Sequence, residues 1–190
     1  METNINMQLL AAKGFYANGL ELSKKFHLSM RNECFEIAPV AAVNMSFAAE
    51  LLLKVLYNLE SQKSIKGHTL GKIFNSLSAK LQRKIEDLYM ENKRNSKKEL
   101  HAIKLVFNAN YFNEKLKKDE NDIENLNLQS LFRIHSDGFE RWRYIYEKKD
   151  CTYDYEFNFN LMNEFIKSLL SIINEDYKDN FQLEHPYVKE

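Results

Sequence analysis

Glycine and proline are scarce: five and two in 190 residues. A β-rich chain needs such residues at its frequent reversals, so the composition points to helices. Two cysteines, Cys34 and Cys151, are too few and too far apart for a disulfide scaffold or a zinc ribbon. The chain also lacks net charge, with 27 Lys plus Arg against 27 Asp plus Glu. No global field therefore draws it to nucleic acid or an anionic membrane, and such binding would need a local patch. Apolar runs are broken by Asn, Glu and Lys before the roughly 20 residues of a membrane span. Met1 to Asn6 has neither the basic start nor the apolar run of a signal peptide, so the expected setting is cytoplasmic, with no membrane.

What is present is helical periodicity. Leu9, Leu10, Phe15, Leu20 and Leu22 mark a first helix from about Met7 to Phe26. Pro39 is expected to open a second, Val40 to Leu59, apolar around most of its circumference and so the buried centre of a bundle. Its polar stripe is Ser46, Glu50, Lys54 and Asn58, with Glu50 preceding Lys54 by one turn. HTLGKIFNSL gives a short third helix, extended in pattern by Leu81, Ile85 and Leu88 to about Met90. After ENKRNSKK, the spacing of Leu100, Ile103, Phe107 and Tyr111 predicts a helix over Glu99 to Leu116. A solvated loop over Lys117 to Asn125 follows. A helical line then runs from Leu126 to Tyr146, interrupted near Ser136 to Gly138, and the last helix spans about Phe159 to Tyr177. The expected fold is all-α, an up-and-down bundle in one domain over 1–178, with a helical insertion at about 81–127 and a polar tail over 179–190.

Two blocks carry a resemblance. Ala41 to Leu77 contains Ala48, Ala49, Glu50 and Lys54, then Gly67 and His68, then Leu70 and Phe74; Phe139 to Glu147 contains Arg143 and Tyr144. Together with the final helix they resemble the HEPN family of small helical domains. That resemblance implies a defence or toxin–antitoxin protein acting on RNA or nucleotides, in its active form a metal-independent endoribonuclease without cofactor. It also implies a homodimer paired through central helices. The alternative it leaves is a non-catalytic interaction module that pairs with a nucleotidyltransferase or another partner.

Active HEPN ribonucleases place an arginine, then about four to six residues, then a histidine, so that imidazole handles the 2′-hydroxyl proton and guanidinium offsets phosphorane charge. No histidine follows Arg143 within that reach. Glu147 is the substitute base there, or else simply pairs with Arg143 one turn away. Arg94, Asn95 and His101 give a literal match inside the unmatched insertion, whose bland reading is a solvated loop. His68 is expected either to cap the third helix and bond backbone, or to take part in the site with Tyr144, Glu50 and Lys54. For Glu50 and Lys54 the plain alternative is an internal ion pair. His135, Trp142 and Phe139 read as core residues rather than a base-stacking platform. No histidine pair or cysteine cluster has metal-ligand spacing, so no metal is expected. Lys93, Arg94, Lys97, Lys98 and Lys104 form a basic strip that would suit either phosphates or plain solvation.

Overall fold

A computed structural model describes residues 4–25, 33–97, 100, 102–108, 111–113, 127–145 and 153–181. Its elements are α1 (Ile5–Lys25), α2 (Glu33–Ser61), α3 (Leu70–Asn75), α4 (Ala79–Asn95), β1 (Ala102–Asn108), β2 (Tyr111–Asn113), α5 (Leu128–His135), α6 (Gly138–Arg143), β3 (Tyr153–Asn158) and α7 (Phe159–Asp176). A single 3-10 turn, Lys178–Asn180, follows.

The protein is predominantly helical, and α2 is buried as its pattern requires. Ala41, Met45, Ala48, Leu52 and Leu56 have no exposed surface. Glu36–Ser61 is long and apolar enough to cross a membrane, yet 67% of its most apolar window lies buried inside the protein. Burial of that much apolar surface is the main force holding the bundle together. Pro39 does not open α2, which starts at Glu33 and carries the proline inside it. The α1–α2 approach is close because residue 19 is glycine: a Cβ there would lie 2.7 Å from Met45 Cγ and 3.2 Å from the Ala41 carbonyl oxygen.

The second central helix is α7. Phe159 through Ile166 are all buried, and it packs against α1, α2, α4 and β1. Asn158 caps it, its side-chain oxygen accepting from Leu161 N–H at 3.0 Å.

The segment expected to be helical over Glu99 to Leu116 is instead sheet over 102–108 and 111–113. The strands are antiparallel in the order β2–β1–β3. In β1–β3, Ile103 faces Phe157 and Leu105 faces Tyr155. Among the described residues the insertion is therefore helical only through α4. The sequence pattern explains the outcome: apolar Ile103, Leu105 and Phe107 recur at every second position, as do Tyr153, Tyr155 and Phe157. The apolar spacing of 100, 103 and 107 satisfies a helix equally well, and the β-branched and aromatic content decides for strand.

The expected break in the Leu126–Tyr146 line is present. It falls at Ser136 and Asp137, between α5 and α6. His135 and Trp142 are core residues, with 0% and 3% exposure.

Candidate functional site

Chain direction at the α3 entrance is set by Gly67, whose φ of +103° lies in the left-handed region that favours glycine. The next residue is His68. Thr69 is the N-cap of α3 but makes no side-chain cap bond. Two of the helix's first N–H groups instead donate to the α5–α6 joint, Leu70 N–H to the Ser136 carbonyl at 3.1 Å and Gly71 N–H to Ser136 Oγ at 3.2 Å. The joint thereby holds His68 beside α6.

His68 neither caps α3 nor bonds backbone, contrary to one sequence expectation. Its Nδ1 lies 3.0 and 3.2 Å from the two Glu50 carboxylate oxygens. Glu50 is 1% exposed and also accepts from Lys54 Nζ at 2.7 Å, so the expected internal ion pair is present and the imidazole joins it. The stripe on α2 is accordingly not a solvent face: Ser46 and Glu50 are both buried. A carboxylate only accepts, so Nδ1 carries the hydrogen and the neutral ring presents Nε2 as an acceptor. With its side chain 50% exposed, His68 is open to a large substrate.

Arg143 reaches the same place from α6. Its guanidinium carbon lies 5.8 Å from the centre of the Phe139 ring, which is 5.8 Å from the His68 ring and stacked with it. Arg143 also sits 5.2 Å from the Tyr144 ring, and Tyr144 is 39% exposed. Phe139 itself is stacked on Phe47 of α2 at 4.8 Å, which fixes the platform to the central helix. Phe139, grouped with the core by sequence, is the half-buried floor between an imidazole and a guanidinium.

Glu50, Lys54, His68, Arg143 and Tyr144 thus converge. Arg94 stays apart: it is exposed at the end of α4, donates to the Met90 carbonyl at 3.3 Å, and borders a cleft of about 540 Å³ with Asp87 and Glu91. Its helix packs on α7, whereas α6 packs on α2. Glu147 and His101 lie outside the described residues, as do the side chains of Lys98 and Lys104. Lys93 is buried at 8% exposure, so the basic strip is not one continuous surface. Among the described residues no three His, Cys, Asp or Glu side chains converge as a metal site would require.

No family model, curated protein or solved structure matches this chain.

Sequence spacing missed that His68 and Arg143 share the Phe139 ring, because 75 positions separate them. The only local signal was the glycine before His68, which marks an enforced turn.

Proposed function

We propose that this is a HEPN-like, RNA-acting protein that cleaves RNA without a metal, using His68 and Arg143 rather than a contiguous arginine–histidine motif. The observation that carries this reading is the shared Phe139 platform, which sets an imidazole oriented by a buried carboxylate beside a guanidinium.

The chemistry follows from the groups. His68 Nε2 takes the proton of a ribose 2′-hydroxyl, and the 2′-oxygen attacks the adjacent phosphorus. The 5′-oxygen leaves with a proton from solvent, giving a 2′,3′-cyclic phosphate and a 5′-hydroxyl. Arg143 offsets the charge that builds on the phosphorane oxygens, and the exposed Tyr144 offers a ring for a neighbouring base. Glu50 holds the tautomer and stabilises the imidazolium, and Lys54 holds that carboxylate in place.

The test is incubation of purified protein with a mixed RNA pool in EDTA, with products read for cyclic-phosphate ends. Cleavage is expected, with loss in His68→Ala and in Arg143→Ala and no change in Arg94→Ala. Cleavage indifferent to the first two substitutions would refute the assignment.

A second reading, the non-catalytic partner-binding module, draws on α1. Met7 and Leu10, one turn apart, are 62% and 49% exposed, an apolar face suited to a partner or a second copy. RNA left intact by the unaltered protein would select it.

A further inference from the structure

A cavity of about 410 Å³, unrelated to the His68 site, lies between α1, α4 and α7. Its size falls in the range of small-molecule sites, and all the residues that line it except Leu20 and Leu100 are polar or charged. Glu164 of α7, 3% exposed, forms the base. It accepts from Lys167 Nζ and from Asn163 Nδ2, both at 3.0 Å, so its own charge is compensated by the protein. The Tyr16 hydroxyl donates to Asn163 Oδ1 at 2.7 Å and fixes that carboxamide.

Two features remain unspent. Asn160, 4% exposed, meets Ser96 Oγ at 3.3 Å through one end of its carboxamide, and Asn92 uses its amide nitrogen on Ser168 Oγ at 2.9 Å. Each lines the cavity and has its other end left for a further bond. Hydroxyl groups, which both donate and accept, suit both. Lys24 and Lys97 at the rim are exposed and have no ion-pair partner among the described residues. With Lys167 compensated by Glu164, they leave the cavity a net positive charge that suits a phosphate. Among the described residues no aromatic side chain lines the wall, so they offer a free base no stacking surface there.

We propose that this cavity binds a small phosphorylated polyol of the sugar-phosphate class. The phosphate sits between Lys24 and Lys97, and the hydroxyls bond Asn92 and Asn160. The site is independent of the RNA-cleavage reading, because it shares no residue with the His68 platform.

Isothermal calorimetry of the full chain with ribose 5-phosphate tests this. Binding is expected, weakened about 100-fold in the Lys24→Ala/Lys97→Ala double variant and about tenfold in Asn160→Ala. Lys13→Ala on α1 serves as the unaffected control. Both rim lysines are exposed, so their variants fold, and circular dichroism verifies this for Asn160→Ala. Unphosphorylated ribose and inorganic phosphate should each bind at least tenfold more weakly. Absence of binding, binding unchanged in the double variant, or inorganic phosphate binding as tightly as the sugar phosphate would each overturn the proposal. So would a 5′-phosphorylated RNA oligonucleotide that displaces ribose 5-phosphate and binds more tightly through the same lysines, since the occupant would then be an RNA end.

Discussion

Glu50 and Glu164 are the same device used twice with different results. Each is a carboxylate almost wholly buried on a central helix, and each holds a lysine one turn later, Lys54 at 2.7 Å and Lys167 at 3.0 Å. Glu50 directs its remaining capacity to His68, and through it to the surface. Glu164 directs its own to Asn163 and so to a cavity wall. A paired buried carboxylate is therefore no indicator of chemistry by itself. What distinguishes the two is the third group, an imidazole with a free nitrogen in one case and a fixed amide in the other.

The largest expected effect separates the two regions by activity. His68→Ala should lower RNA cleavage by on the order of 10² to 10⁴, the range of a lost general base. Lys167→Ala should leave cleavage unchanged, because Glu164 and its partners face the other side of the bundle. Equal losses in both would mean that the two regions are not separate. Initial rates on a single oligonucleotide, with thermal melts as the folding control, provide the measurement.

Acidification should break the Glu164 region through a third residue. His135 has no exposed surface; its Nδ1 donates to the Leu131 carbonyl at 2.9 Å and its Nε2 accepts from Asn158 N–H at 2.8 Å, at the start of α7. Burial lowers its pKa from 6.5 to about 4, against a smaller opposing effect of the Leu131 bond. The unfolded chain thus takes up a proton that the folded chain refuses. The stability is fully present above pH 6.5 and drains away as pH falls toward 4, by on the order of 3 kcal/mol. Urea titrations at pH 7 and pH 4.5 should show the loss, and His135→Leu, though less stable at pH 7, should flatten the dependence. An equally steep acid loss in that variant would assign it elsewhere. Near the same wall, burial and then the Glu164 charge push the Tyr16 hydroxyl up to about 12 and raise that of Tyr89 as well. Both phenols stay neutral over this range and add nothing to the pH dependence.

Smaller in size is the cost of removing each carboxylate's charge. The Lys54 side chain is 16% exposed and cannot easily reach water when its partner is lost, whereas that of Lys167 is 49% exposed and can. Glu50→Gln should therefore cost about 2 kcal/mol and Glu164→Gln about 1 kcal/mol. Chemical denaturation resolves the difference, and the reverse order would show that the exposure of the lysine does not control the cost.

How much of this was legible in sequence follows the range of each signal. The centrality of α2, the short α3 and the limits of α7 came from apolar periodicity, which is local and long enough there to be unambiguous. The sheet was not read, although Tyr153, Tyr155 and Phe157 alternate with Asp154, Glu156 and Asn158 as a half-buried strand should. The competing three-and-four spacing at Leu100, Ile103 and Phe107 hid its partner strand. Of the site, the Glu50–Lys54 pair was visible as a one-turn spacing. The His68–Arg143 proximity and the Glu164 cavity are products of helix packing, and no local pattern encodes them.

The smallest expected effect concerns the contact that sets the α6 platform on α2. Gly138 opens α6 against Ser46, where a Cβ would come within 2.6 Å of Ser46 Oγ. That hydroxyl is buried and has no hydrogen-bond partner among the described residues. Ser46→Ala removes an unsatisfied group at no cost in packing, and should stabilise the protein by up to about 1 kcal/mol. Gly138→Ala alone should destabilise by about 1 to 2 kcal/mol through overpacking, and in the Ser46→Ala background by less, because the obstructing oxygen is gone. The same cycle, read by RNA cleavage, tests whether α6 must lie this close. If Gly138→Ala pushes Phe139 and Arg143 away from His68, activity should fall more than stability accounts for and should recover in the double variant. Recovery of stability without activity would separate the seating of α6 from the alignment of its arginine. The Glu164 cavity, with no residue from α6, should bind its ligand equally well in all four proteins.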